Sequence, residues 1–489
     1  MKLENILYKK FSYTKFRKGQ KEIIESVLNE RDTLALLPTG TGKSLCYQLP
    51  GYLMDGSVII ISPLLSLMQD QVEQMKVRGE KRVVAINSFL SNEEREYVLN
   101  NINYYKFIYV SPEMLQNKYI LHLLKSMKVS LFVVDEAHCI SQWGYDFRPD
   151  YLELGRIRDE LGNPATLALT ATARKDVQED IKKYLHMKDV AEYIYSMDRS
   201  NIALQVVKVE NYEEKKQRLF DFVQKLKGPG ILYFSSKKLA DELANELNER
   251  GLGPAAAYHA GVEQDKRILL QQQFLYDNLS VMCATSAFGM GVNKENIRYV
   301  IHFHPPINLE SYLQEIGRAG RDGNNSIAIM LYANDDIFIQ KQLIDMEYPT
   351  NMQIDYFLKE FGEMRNVIDK RNIKLDIPEG FTDVQWRILW KFNQQSENNH
   401  EFKEKLQNFI DERIAMKNYK LQEMTNWILY DGCRRDKLLS YFEERKSGKI
   451  DNCCDYCGVN FNEYVLKKET SKKRELVDWK MRLADIFNI

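Results

Sequence analysis

The chain has 489 residues, 44% hydrophobic and 28% charged, which suffices for ordinary cores under a solvated surface in roughly two to four domains. Sixty-eight Lys and Arg against 69 Asp and Glu leave a net charge of −1, which excludes a global basic field but not a local basic groove. No run approaches the ~18 apolar residues of a membrane span, and the start MKLENILYKKF lacks the apolar core of a signal peptide. Three of the seven cysteines, Cys46, Cys139 and Cys283, stand singly in apolar segments, so a reduced, cytoplasmic chain without a disulfide framework is expected.

Short apolar, β-branched runs recur through the first half at 33–37 (TLALL), 57–61 (SVIII), 82–86, 107–110, 131–134 and 166–169. Runs apolar on both faces and separated by helix-like stretches predict a buried parallel sheet with right-handed crossovers, an α/β layered domain. The pattern restarts at 230–234, 254–258, 279–283, 299–303 and 327–332, which predicts a second α/β domain. The boundary is placed near 206–214, giving domains 1–207 and 208–343. Helical spacing takes over at 354–368, 384–392 and 402–416, so 344–489 reads as a mostly helical third region. Breaks at 376–380 (DIPEG) and 394–400 (QQSENNH) interrupt it, and cysteines cluster near its end.

Residues 37–44 read LPTGTGKS between a strand and a helix-like stretch. Thr39, Gly40, Thr41 and Gly42 give a backbone whose N–H groups can turn toward phosphate oxygens; Lys43 can reach the β/γ-phosphates and Ser44 can ligate Mg²⁺. Leu37 replaces the first glycine of the usual pattern. Residues 131–138 read LFVVDEAH, an apolar strand ending in carboxylates. Asp135 is assigned to Mg²⁺ through water and Glu136 to orienting and deprotonating the attacking water. Residues 314–323 (QEIGRAGRDG) carry Gln314, Arg318 and Arg321. The arginines, three apart and read as sharing a helical face, can supply cation charge to a transferring phosphate from the facing domain.

These motifs resemble those of superfamily 2 helicases and, within them, the RecQ family of DNA helicases. The resemblance covers roughly residues 1–340 and includes 62–71 (SPLLSLMQDQ), 168–173 (ALTATA) and 284–294 (ATSAFGMGVNK). It implies two tandem RecA-like domains that hydrolyse Mg-ATP between them, coupled to 3′→5′ movement on single-stranded and forked or tailed duplex DNA. Residues 11–20 (FSYTKFRKGQ) resemble the family's adenine motif, which makes Tyr13 a stacking ring, Arg17 a base or phosphate contact and Gln20 the adenine reader. Residues 139–151 (CISQWGYDFRPDY) resemble its aromatic-rich loop. Trp143, Tyr145 and Phe147 beside Arg148, with Ser141 and Gln142, combine stacking platforms and a cation that can grip single-stranded bases. Thr285, Ser286 and Asn293 are assigned to strand phosphates. The lone histidines His259, His302 and His304 are read as structural hydrogen-bonders.

Cys433, Cys453, Cys454 and Cys457 fall within twenty-five residues and resemble the RecQ zinc-binding subdomain. Asp451 occupies the position where the family usually has the first of its closing cysteines, so the fourth Zn²⁺ ligand is either Cys453 or Asp451. Gly323 and Cys433 lie 110 positions apart, which predicts an insertion near 351–405 before a zinc subdomain at 406–460. Thirty-two residues follow Cys457, too few for the winged-helix and HRDC domains of larger relatives. A role in recombination, repair or replication-fork processing, a monomeric state and a single-stranded-DNA-binding protein as partner complete the expectations, with nucleoid association in a bacterial cell.

Overall fold

The structure is a computed structural model, and it describes residues 3–63, 65–87, 90–141, 148–286, 288, 294–364 and 377–466. The first sheet contains β1 (Thr33–Leu36), β2 (Ser57–Ile61), β3 (Val83–Ile86), β4 (Phe107–Val110), β5 (Val129–Val134), β6 (Ala165–Thr170) and β7 (Ala191–Ile194). Their order is β3-β4-β2-β5-β6-β1-β7, every pair parallel. Strands β1, β2 and β4 are buried throughout, and β5 and β6 are buried over all but their first residues, as runs apolar on both faces require. In this order β1 and β5 flank β6, so the loops after all three open on the same carboxyl edge. Binding sites of parallel sheets form at that edge.

The second sheet contains β8 (Ile202–Lys208), β9 (Gly230–Tyr233), β10 (Ala255–Tyr258), β11 (Val281–Ala284), β12 (Tyr299–His302) and β13 (Ser326–Tyr332), ordered β10-β11-β9-β12-β13-β8 and again parallel. Two strands escape the sequence pattern. In β7 the sequence AEYI is only partly buried, because it lies at the sheet edge beside β1. In β8 the first half is buried and the second half is not, and its full length pairs with β13. The second lobe therefore begins by Ile202, ahead of the 207/208 boundary read from the sequence.

The third region departs from expectation in one respect. The helix Asp383–Gln394 matches one predicted stretch, and the helix Asn351–Phe361 covers the first part of another, whose residues 365–368 lie outside the described residues. The third extends into a single helix, Asn399–Leu429, of 31 residues. No Gly or Pro interrupts it, and its buried positions run from Phe402, Leu406 and Ile410 to Leu421, Met424 and Trp427. The division at 405/406 thus falls inside one helix. Its first half packs with Tyr348, Phe357, Trp386 and Leu389 in a core of its own, while its second half joins the core of the second lobe. The insertion is thereby coupled mechanically to the second lobe.

Candidate active site and metal centre

The phosphate loop leaves β1 and enters the helix Leu45–Leu53 with Ser44 at its N-cap. Lys43 and Ser44 line a cavity of about 240 Å³ together with Asp135 and Glu136 from the end of β5. Tyr13, Arg17, Gln20, Thr39, Gly40 and Gly42 line the same cavity, as do Gln314, Arg318 and Arg321 of the second lobe. The residues expected at three distant places in the sequence thus meet at one cleft. Thr41 holds the loop's own shape, its hydroxyl donating to Pro38 O at 2.7 Å.

Lys43 Nζ lies 3.5 Å from Glu136 Oε1. The other carboxylate oxygen, Oε2, is buried without a hydrogen-bond partner. His138 approaches it at 3.5 Å, but His138 Nδ1 is within 2.9 Å of Thr170 Oγ1 and so connects the acid pair to the ALTATA turn. Asp135 accepts from the Glu136 N–H at 2.9 Å. Burial and the Glu136 charge push the Asp135 carboxyl up to about 6, with Lys43 opposing. A divalent cation between Asp135 and Ser44 would favour the ionised form, so the donor set suits Mg²⁺.

On the facing lobe the helix Leu309–Ile316 carries Gln314 but ends before the arginines. Arg318 and Arg321 lie in the turn that follows, where Gly320 takes a φ of +56°, and not on the helical face that the three-residue spacing predicted. The turn brings Arg321 across the phosphate loop: a Cβ on Gly40 would fall 2.8 Å from Arg321 Cγ. Burial, followed by the neighbouring Arg318 and Arg199, pulls the Arg321 guanidinium down to about 9. Arg318 is 3% exposed, and its Nε has no partner. Clustered buried cations of this kind are relieved by an anion.

In the adenine motif, the Gln20 amide donates to Thr41 O at 2.7 Å, and Arg17 reaches Gly40 O and Glu295 of the second lobe. Tyr13 is half-exposed at the mouth. Of the aromatic-rich loop, Gln142, Trp143, Tyr145 and Phe147 lie outside the described residues, as does Asn293. Its two ends are anchored: Ser141 donates to Asp180 at 2.6 Å and Arg148 to Pro63 O at 2.9 Å. Thr285 and Ser286 line a second cavity of about 250 Å³ against Arg413, Lys417 and Lys420 of the long helix, basic residues that the sequence reading did not single out. Their signal was the i, i+4, i+7 spacing within a stretch read as part of the zinc subdomain. The histidines all have protein partners: His259 meets Asp241 at 3.0 Å, His302 meets Glu315 at 2.8 Å, and His304 faces the Ser235 amide, while His302 and His304 also line this second cavity.

The sulfurs of Cys433, Cys453, Cys454 and Cys457 all lie within 4.8 Å of one another. A tetrahedral Zn²⁺ with ~2.3 Å bonds places its sulfurs about 3.8 Å apart; Cys433 and Cys453 are 3.7 Å apart, Cys433 and Cys454 4.0 Å. Lys446 Nζ lies 3.8 Å from Cys433 Sγ, where it would offset part of the charge of metal-bound sulfur. Asp451 is exposed and stands outside the group, so the geometry selects Cys453. Metal analysis checks this: Asp451→Asn is expected to retain one equivalent of zinc and Cys453→Ser to lose it.

Two parallel-sheet lobes closing on one phosphate-binding cavity define the helicase class of P-loop proteins. Comparisons with known proteins agree. Residues 17–180 match the DEAD/DEAH box helicase family, 214–323 the helicase conserved C-terminal domain and 392–458 the RecQ zinc-binding family. The chain is 46% identical over 490 aligned residues to the probable ATP-dependent DNA helicase RecS of Bacillus subtilis, covering 100% of this chain and 98% of that protein. It is 41% identical to the ATP-dependent DNA helicase RecQ of the same organism, over 75% of this chain and 61% of that longer protein. The fold superposes on the Mycobacterium smegmatis helicase Lhr, solved with ssDNA and AMP-PNP, with a TM-score of 0.57 at 21% identity, covering 71% of this chain and 49% of that one. The chain belongs to the RecQ family of superfamily 2 helicases.

Proposed function

We propose that the protein is an ATP-dependent DNA helicase that hydrolyses Mg-ATP between its lobes and moves 3′→5′ along single-stranded DNA, in recombination, repair or replication-fork processing. One observation carries the reading. A buried carboxylate oxygen of Glu136 and a buried guanidinium nitrogen of Arg318, both without hydrogen-bond partners, belong to residues that border one cavity from opposite lobes. In this reading Lys43, Ser44, Asp135 and the loop residues hold the phosphates and Mg²⁺, and Glu136 accepts the proton of the attacking water. Arg321 and Arg318 offset the charge that develops on the transferring phosphate. Tyr13, Arg17, Gln20 and Gln314 hold the rest of the nucleotide. Zn²⁺ on the four cysteines staples the subdomain, and the aromatic-rich loop reports the bound strand to Glu136.

The strand is taken to run from the cavity bordered by Thr285 and Ser286 toward Ser141 and Arg148. Each phosphate contact contributes about −0.9 to the logarithmic salt dependence of duplex binding and about −0.7 for single strands. Lys417→Gln is therefore expected to reduce the single-strand salt slope by about 0.7, while Lys403→Gln, whose ammonium meets Asp355 at 2.7 Å, away from that cavity, leaves it unchanged. The same reading has the protein act as a cytoplasmic monomer on strands that a single-stranded-DNA-binding protein keeps open. Unwinding of matched duplexes with 3′-tailed, 5′-tailed or RNA loading strands tests the function. Unwinding confined to the 3′ DNA tail supports it; equal use of an RNA tail, or of the 5′ tail, contradicts it.

A further inference from the structure

The segment 195–201, which joins the two sheets, does more than span them. Arg199 places one guanidinium among four backbone carbonyls drawn from both sides of the cleft. Its NH1 donates to Thr39 O of the phosphate loop and to Gly317 O, each at 3.2 Å. Its NH2 donates to Ala319 O at 3.0 Å and Gly320 O at 2.7 Å. These last three carbonyls belong to the turn that holds Arg318 and Arg321. Two residues on, Asn201 donates to Gly320 O and Asn324 O, each at 2.9 Å. The lobes touch directly beside this fork, where Thr39 Oγ1 donates to Gly317 O at 3.1 Å.

Arg199 is itself held from the cysteine-cluster subdomain. Arg435, 3% exposed, bonds Asp198, the carbonyls of Arg199 and Ile202, and Cys453 O. Glu444 accepts from Ser196 Oγ at 2.6 Å and Met197 N at 3.1 Å. A continuous set of hydrogen bonds thus runs from the subdomain through the joining segment to the arginine turn and the phosphate loop.

We propose that Arg199 is a positioning residue for nucleotide cleavage: it sets how closely the turn bearing Arg318 and Arg321 approaches the phosphate loop, and Arg435 fixes Arg199 in that place. The guanidinium does not border the nucleotide cavity, so it acts through the turn. A planar fork is required, because an ammonium cannot serve four carbonyls in that geometry. The proposal rests on the cleft being the ATP site.

The test measures kcat and KM for DNA-stimulated ATP hydrolysis, nucleotide Kd from a fluorescent ATP analogue, and thermal unfolding. The proteins are wild type, Arg199→Ala, Arg199→Lys, Arg435→Lys and the double variant Arg199→Ala/Arg435→Lys. A misplacement of about 1 Å in a catalytic arrangement costs on the order of 10²-fold, so Arg199→Ala should lose kcat on that scale while nucleotide Kd stays within about threefold. Arg199→Lys should recover little of it. It also decides the question if Arg199→Ala does not fold, because it keeps the charge. Arg435→Lys should lower kcat by a smaller factor, and the double variant should be no slower than Arg199→Ala alone, since both act through one path. Losses that multiply in the double variant, parallel loss of kcat and nucleotide binding, or full activity in Arg199→Lys would overturn the proposal. Wild-type protein that neither binds nor hydrolyses ATP would sink the underlying reading instead.

Discussion

Glu136→Gln is expected to lower ATP turnover by about 10³-fold, within the usual range for losing a positioned general base, while ATP and single-stranded DNA still bind. The substitution keeps the shape of the side chain and removes its charge. Glu136 is buried, its Oε1 faces Lys43 at 3.5 Å, and its Oε2, with His138 3.5 Å away, has no hydrogen-bond partner, so it has an acceptor to offer to water. Lys43→Ala is the less discriminating variant. It removes a phosphate ligand and also leaves Glu136 as a buried charge without its counterion, so losses in turnover and in stability arrive together. Single-turnover and steady-state hydrolysis with a nucleotide-binding assay separates these effects; wild-type turnover in Glu136→Gln would remove Glu136 from the chemistry.

Arg321→Ala is expected to reduce kcat by about 10³-fold or more, the scale on which an arginine supplied from a facing lobe accelerates phosphoryl transfer. Nucleotide affinity should change much less, because the phosphate loop and Lys43 remain. The cost of the wild-type arrangement is visible before any ligand arrives, in a guanidinium drawn down to about 9 by burial and by two neighbouring arginines. Relieving that cost when the phosphate carries most charge is what makes cleavage depend on lobe closure. Removing Arg321 should therefore also stabilise the empty protein slightly, a rise in Tm accompanying the fall in kcat. Loss of ATP affinity equal to the loss of kcat would contradict this role.

The parts legible in the sequence were those dictated by local chemistry. LPTGTGKS and LFVVDEAH could be placed at strand ends because a buried parallel strand must be apolar on both faces and must end where polar groups begin. The cysteine spacing announced a cluster, and the structure brings all four sulfurs together. What stayed hidden depended on partners distant in sequence. The edge strand β7 carries Glu192 and so broke the apolar pattern, and β8 declares itself only through its pairing with β13. Helical periodicity suggested a shared face for Arg318 and Arg321, but the backbone at Gly320 ends that regularity. Arg199 carries no motif of its own; only the convergence of carbonyls from residues 39, 317, 319 and 320 reveals it.

The long helix Asn399–Leu429 belongs to two cores at once. It fuses the aromatic core around Phe357 and Trp386 to the second lobe, beside the cavity that Thr285 and Ser286 border. The module also faces the first lobe, where Arg387 and Lys391 of the helix Asp383–Gln394 lie near Asp150, and Lys391 also near Glu153.

The most direct test of the account is a crystal structure of the protein with a non-hydrolysable ATP analogue, Mg²⁺ and a single strand. The terminal phosphate is expected within hydrogen-bond distance of Lys43 and Arg321 together, with the metal on Ser44 and near Asp135. A nucleotide bound elsewhere, or bound to the first lobe with Arg321 turned away from its phosphates, would contradict it.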